Sequence, residues 1–317
     1  LENNPTLISF VIPVYNNANS LELLHSRLEE ILRKFPALTS EWVYVNDGSQ
    51  DSSEDVLLHM RQTNKQVKLL TFTRNFGQVA AIQAGIEYAK GDGVVVMSAD
   101  MQEPAELVTA MLEKWQAGAQ LVLAFRAGRN DGFLNHGLSR VFYSLIRFSN
   151  PEIPPGGFDY CLLDRTVATF LRSVKHKNRF LQGDLLYPGF KTALIPYERT
   201  KGVPRIGKRR PIRNLTFKVK YFIDGILNTT TYPIRLISLL GILTIFLGIL
   251  YSGVIVLEWF RGETPFRGWA PIMISILLIG GLILFTLGIL GEYIWRIYDE
   301  LRGFPPYVIR ERYLDDE

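Results

Sequence analysis

Asp100 and Gln102 stand one residue apart at the end of the apolar run Val94-Val95-Val96-Met97. Both carry hard oxygen donors, so together they can hold Mg²⁺ or Mn²⁺, and through such a cation a diphosphate. A second carboxylate, Asp47, follows the run Trp42-Val43-Tyr44-Val45 and precedes Gly48. Placed there it can accept hydrogen bonds from a base or ribose, while Gly48 lets the backbone turn closely around a ligand. Each position also has a plainer reading as a strand end, an Asp-Gly turn or a helix cap.

The surrounding elements decide between these readings. Leu7–Val14 is a β-rich run that breaks at Tyr15-Asn16-Asn17, and Leu21, Leu24, Leu28, Ile31, Leu32 and Phe35 then recur at helical spacing. Val67–Phe72 leads through Thr73–Gln78 into an Ala/Ile-rich helix over Val79–Lys90, and Pro104 sits near the start of another helix that runs to Gln116. Leu121–Phe125 ends at Arg126, a cation at a strand end. Strands alternating with helices predict a doubly wound α/β fold with a mostly parallel sheet, whose ligands lie outside the carboxyl ends of its strands. No G-x-G-x-x-G occupies the first turn, which argues against a dinucleotide-dependent dehydrogenase.

Composition narrows the class further. The chain has 317 residues, a formal net charge of +4, a single cysteine and four histidines. One cysteine cannot close an internal disulfide, and His25, His59, His136 and His176 are too scattered for a Cys/His metal site. The polar start, Leu1-Glu2-Asn3-Asn4, does not read as a cleavable signal peptide. No nucleic-acid partner is expected. Basic residues crowd Arg199–Arg210, ahead of two uncharged apolar runs, Leu236–Leu257 and Trp269–Gly291. Each run exceeds the roughly 20 residues that cross a bilayer, so a two-helix hairpin is expected. The Lys/Arg bias places both termini on the cytoplasmic side of a cell membrane, in a multi-pass protein. Ile212–Tyr232 mixes apolar and basic residues at helical spacing, as in a helix lying in the membrane interface. The expected organisation is a catalytic domain over 1–210, a juxtamembrane amphipathic segment over 211–233, two spans within 234–296, and a cytoplasmic tail over 297–317. Gly280, Gly281, Gly288 and Gly291 permit close helix contact, which makes a homo-oligomer the expectation.

Four motifs in order carry a family resemblance: Val11-Ile12-Pro13-Val14-Tyr15-Asn16, Val45-Asn46-Asp47-Gly48-Ser49-x-Asp51, Arg74-Asn75-Phe76-Gly77 and Ala99-Asp100-Met101-Gln102-Glu103-Pro104. They resemble those of family-2 glycosyltransferases with the GT-A (Rossmann-like) fold. More narrowly, they are similar to the polyprenyl-phosphate glycosyltransferases, which include dolichol-phosphate mannose synthases and bacterial undecaprenyl (bactoprenol) phosphate glucosyltransferases. The two C-terminal runs favour the latter branch. The resemblance implies that Pro13, Tyr15 and Asp47 line the nucleotide, that Asp100 and Gln102 hold Mg²⁺ or Mn²⁺ on the donor diphosphate, and that the reaction inverts the anomeric centre. It also implies a catalytic acidic residue at Asp159, within Phe158-Asp159-Tyr160. Around Arg199 and Arg205 the sequence partly matches the family's R-x-x-G-x-S-K-Y element, and both arginines suit a lipid phosphate. Arg126 is a further candidate for the donor. One departure stands out: the family's D-x-D has a carboxylate where this chain has Ser98. The implied partners are a nucleotide sugar, UDP-glucose in the first instance, a polyprenyl phosphate and the membrane. GDP-mannose or another UDP-sugar as donor, or a catalytically degenerate membrane scaffold for a flippase or transferase, are the alternatives.

Overall fold

The computed structural model describes residues 6–126, 154, 158–174, 181–198, 232–261 and 270–314. Two compact units divide the chain: one up to Ile226 together with Pro305–Glu317, the other Leu227–Phe304.

The first unit is an α/β sandwich built on strands that are apolar on both faces. β1 (Thr6–Val14) and β2 (Leu38–Asn46) are buried over most of their length, and β3 (Val67–Phe72) and β4 (Gly93–Val96) throughout. Such continuous burial is what a parallel sheet covered by helices on both faces requires. Helices α1 (Leu21–Leu32), α2 (Ser53–Thr63) and α4 (Leu107–Gln116) share one core with Phe10, Trp42 and Tyr44. Helix α3 (Gln78–Tyr88), α5 (Arg165–Ser173) and α6 (Leu181–Leu186) close a second core over Val11, Val45 and Leu123. In α1 the buried set is Leu21, Leu24, Leu28 and Ile31, the helical stripe expected from the sequence. Gly85 lets α3 lie directly on β1, since a Cβ there would fall 2.2 Å from Val11 Cγ1.

With β5 (Leu121–Arg126), β6 (Phe158–Asp164), β7 (Thr192–Tyr197) and β8 (Ile309–Tyr313), the sheet runs β7-β5-β6-β4-β1-β2-β3-β8. It is mixed rather than simply parallel. β6 inserts antiparallel between β4 and β5, and β8 pairs antiparallel with β3. The stretch expected as a tail therefore contains an edge strand. Tyr307 stacks on Phe72 at 5.0 Å, Thr73 N donates to Val308 O at 3.0 Å, and Arg61 donates to the carbonyls of Val67 and Leu314. Asp164 caps α5 by accepting from Thr166 N at 2.9 Å.

The second unit holds two long helices, α7 (Tyr232–Phe260) and α8 (Ala270–Leu301). Against the two spans expected, one stretch among the described residues is long and apolar enough to cross a membrane, Ile279–Leu301. Helix α8 continues past Gly291, where Glu292 and Arg296 pair at 3.4 Å across one turn. In α7 the apolar stretch among the described residues is Leu239–Tyr251. The amphipathic segment expected over 211–233 lies almost wholly outside the described residues, as do Arg199 and Arg205.

Candidate functional site

From β1 the chain moves through β2 to β3 on one side, then returns to place β4 on the other side of β1. The strand order therefore reverses between β1 and β4, and the two loops that leave these strands diverge around a crevice. β4 pairs with β1 only as far as Val11↔Val96, with Met97 N donating to Val11 O at 3.2 Å. Pro13 lies beyond that ladder, where a missing N–H costs no hydrogen bond with β4.

Three strand ends are tied together by side chains bonding to backbone. After β1, Asn16 adopts a left-handed conformation (φ 54°), accepts from Gln50 N at 2.8 Å and has its own N–H on Ser49 Oγ at 3.1 Å. Asn17 N donates to Ser53 Oγ at 2.9 Å, and Ala18 N to Asp51 Oδ2 at 3.2 Å. Ser20 Oγ then reaches the loop after β4, donating to Ala99 O at 2.6 Å. Tyr15 lies inside this clasp, its N–H on Asn17 Oδ1 at 3.2 Å. Asn16, Ser49, Asp51 and Ser53 were absent from the sequence expectation as a connected group; the N-x-x-x-S and D-G-S-x-D strings carry the signal, but only the fold shows that they bond to one another.

Asp47 is buried, and its carboxylate is already engaged. Oδ1 accepts from Phe76 N at 2.6 Å and Oδ2 from Gly77 N at 3.0 Å, so Asp47 braces the loop entering α3. Burial drives its pKa up to about 6, outweighing the opposing pull of those two N–H groups and of Arg74. Gly48, at φ +65°, is where β2 passes the same loop: a Cβ would lie 2.6 Å from the carbonyl carbon of Arg74. Arg74 itself sits over the Phe76 ring, 4.1 Å from its centre.

Beyond β4, Asp100 and Glu103 are 5% and 3% exposed. Asp100 Oδ1 accepts from Gln102 N at 3.3 Å and from Ser98 Oγ at 3.0 Å, and Ser98 Oγ also hydrogen-bonds Glu103 Oε2. Met101, with φ 56°, makes the left-handed turn that folds residues 102 and 103 back on Ser98. Among the described residues no three His, Cys, Asp or Glu side chains gather around one point. The donors present are a carboxylate, an amide and a hydroxyl, hard oxygens that fit Mg²⁺ or Mn²⁺.

Register brings two more expected residues to this end of the sheet. β6 runs antiparallel, so its first residues lie beside the ends of β4 and β5. Ala124 pairs with Tyr160 and Phe125 with Phe158, which leaves Asp159 as the extra residue of a β-bulge. Arg126 ends β5 opposite Tyr197 of β7, separated from β1 by β6 and β4.

An α/β sheet with a switch-point crevice, a hydrogen-bonded clasp after β1 and β2, and an oxygen cluster after β4 defines a GT-A-like architecture. Glucosyl-3-phosphoglycerate synthase from Mycobacterium tuberculosis superposes with a TM-score of 0.51 at 18% identity, over 69% of this chain and 80% of that one. A structure of that synthase with Mn²⁺, uridine diphosphate and glucosyl-3-phosphoglycerate gives 0.50 at 20% identity, over 71% and 80%. Residues 9–170 match Glycosyl transferase family 2. The SfII prophage-derived bactoprenol glucosyl transferase of Shigella flexneri is 33% identical over 308 residues, 96% of this chain and 97% of that protein. An uncharacterized glycosyltransferase of Synechocystis sp. is 32% identical over 306 residues, 96% and 95% of the two chains. The chain belongs to glycosyl transferase family 2, and the protein is a glycosyltransferase.

Proposed function

We propose that this enzyme transfers glucose from UDP-glucose to an undecaprenyl-type phosphate, with inversion, at the cytoplasmic face of the cell membrane. The observation that carries the reading is the reach of the similarity. Identity to the bactoprenol glucosyl transferase extends over 96% of the chain, well past the family-2 segment and through α7 and α8. Similarity that continues through the long apolar helix α8 supports a lipid acceptor, and the clasp and oxygen cluster offer a place for a nucleotide diphosphate.

In this reading Pro13, Tyr15 and Asp47 line the nucleoside, Arg126 adds charge on the donor side, and Asp100 and Gln102 hold Mg²⁺ or Mn²⁺. When bound, the metal offsets the charge that grows on the departing diphosphate. A phosphate oxygen of the lipid attacks the anomeric carbon from the face opposite the diphosphate. That C–O bond forms as the bond to the diphosphate breaks, and UDP leaves. A lipid phosphate is already largely ionised at neutral pH, its second pKa being about 6, so Asp159 has more to do in orienting the acceptor than in removing a proton. Arg199 and Arg205 pair with the acceptor phosphate through their forked donors. The proposal includes Leu236–Leu257 as a second span, so that 1–210 and the tail share the cytoplasmic side, residues 211–233 lie in the interface, and copies associate through the glycines of α8. Holding two dilute partners in one orientation lowers the barrier by up to about 7–11 kcal/mol.

The test is sugar transfer by purified protein in detergent, with polyprenyl phosphate, Mg²⁺ or Mn²⁺ and a panel of labelled UDP- and GDP-sugars. A chloroform-soluble glycolipid formed from UDP-glucose, and lost in Asp100→Ala and Asp159→Asn, is the expected result. A different productive donor replaces the sugar assignment, and no reaction with any donor overturns the catalytic reading in favour of a scaffold.

A further inference from the structure

We propose that Glu103 is a positioning residue for the cation site, acting through Ser98 in place of the carboxylate that the D-x-D pattern puts at position 98. The proposal rests on the reading above. Its starting point is a count of protons. Ser98 Oγ lies within hydrogen-bond reach of Asp100 Oδ1, at 3.0 Å, and of Glu103 Oε2. A hydroxyl has one proton and two lone pairs, so it donates to one of these carboxylates at a time. Donation to Asp100 occupies an oxygen that the metal needs. Donation to Glu103 takes the hydroxyl proton off Asp100 Oδ1, which still accepts from Gln102 N at 3.3 Å, and presents the Ser98 lone pairs beside it, with electron density pushed onto Oγ by the charge-assisted bond. Glu103 thus makes a neutral serine serve as a third hard-oxygen donor with Asp100 and Gln102.

Three further features fit this role and not that of an ordinary helix-start glutamate. Helix α4 begins at Leu107 with Glu106 as its N-cap, so Glu103 stands outside the capping position. Met101 holds a left-handed backbone that is unfavourable for a side chain of its size, and that turn is what returns Glu103 to Ser98. Glu103 is almost completely buried, so its carboxylate spends its interactions inside the site rather than in water.

The test is Mn²⁺ affinity of the full-length protein in detergent with UDP present, read by titration calorimetry, alongside melting in EDTA to verify folding. Glu103→Gln, which keeps the shape, and Ser98→Ala are each expected to weaken Mn²⁺ by about 10–100-fold, the usual effect of losing a group that orients a ligand. Ser98→Asp restores the carboxylate directly, so adding Glu103→Gln to it is expected to change the affinity by less than about twofold. A Glu103→Gln protein that binds Mn²⁺ like wild type overturns the proposal, as does an equal loss in the Ser98→Asp background. Wild-type protein that binds UDP-glucose and turns it over without any divalent cation also overturns it, while leaving the transferase reading intact. Wild-type protein that binds neither Mn²⁺ nor UDP removes both.

Discussion

The two ends of the same strands bury carboxylates in opposite ways. Toward the amino ends, Glu41 of β2 meets Lys68 of β3 at 2.6 Å, with the pair 6% and 2% exposed. Ser9 Oγ and Lys90 N donate to the other oxygen of Glu41, and Gly91 N donates to Ser9 Oγ at 2.8 Å. Charge is neutralised by charge, inside the sheet. At the carboxyl ends, Asp47 is met by backbone N–H groups and Asp100 by a hydroxyl and an N–H, in loops that include two left-handed non-glycine residues. A carboxylate facing a lysine in a dry interior is a finished interaction. A carboxylate oriented by dipoles at a strand-end crevice is arranged for a partner that arrives later. Burial alone does not distinguish function from fold; the kind of group that answers the charge does.

The sharpest way to break this comparison is to remove one carboxylate side chain or its partner at each end. Asp100→Ala is expected to lower transfer by at least about 10³-fold, the several kcal/mol that a metal contributes to the departing charge, while the melting temperature in EDTA stays near wild type. Lys68→Met is expected to do the reverse. Leaving Glu41 buried without its cation costs about 3–5 kcal/mol of stability, whereas turnover per folded molecule at low temperature is retained. Thermal melts and glycolipid formation on the same preparations read both. If Lys68→Met slowed transfer without lowering the melting temperature, the division between the two ends would not hold.

Gly48→Ala sharpens the boundary between them. The residue has φ +65°, and a Cβ would press on the backbone of Arg74 and Asn75, 2.6 and 2.8 Å away. The strain is of order 1–3 kcal/mol, and the loop over 74–77 must shift to relieve it. Because Asp47 bonds that same loop, the expected outcome is a lower affinity for UDP together with a modest loss of stability. Calorimetry of UDP binding is the measurement; unchanged affinity would mean that the 74–77 loop does not line the nucleotide.

Much of this was legible in the sequence because local rules wrote it. Long apolar runs announce strands covered on both faces, and Leu21, Leu24, Leu28 and Ile31 announce a helix stripe. Long-range pairing was not legible. Ile309-Arg310-Glu311-Arg312-Tyr313 reads as a charged tail, and becomes a strand only because β3 offers an open edge and Arg61 and Glu54 offer partners. The antiparallel insertion of β6, and with it the bulge at Asp159, depends on pairings across the sheet that no periodicity records. The candidate site was half visible: Asp47 and Asp100 stand out by type and place, but the bond from Asp47 to residues 76 and 77 joins separate motifs. The Ser98–Glu103 contact requires a left-handed Met101, a conformation that methionine does not advertise. The second apolar run was read for its composition, and the helix carries it on past Gly291 to Leu301.

The smallest effect concerns the proton on Asp47. Burial holds its pKa near 6 in the folded protein, above the ordinary carboxylate range of about 4 that applies when the chain unfolds. Between these values the folded protein binds the proton more readily than the unfolded chain, so stability from this group is fully present below about pH 4 and is lost as pH rises through about 6. Asp47→Asn keeps Oδ1 as the acceptor for Phe76 N, which Gly77 N at 3.3 Å can share, and removes the titration. The variant is therefore expected to show a flatter dependence of melting temperature on pH across that window, and to match or slightly exceed wild type at pH 7. The change across the window should not exceed about 2–3 kcal/mol, at roughly 1.4 kcal/mol per pKa unit. Melting curves at half-unit steps from pH 4 to 7.5, wild type against variant, decide the matter. Parallel curves would mean that Asp47 is ionised throughout, its charge fully answered by the Phe76 and Gly77 N–H groups, and this end of the sheet would then be as finished as the other.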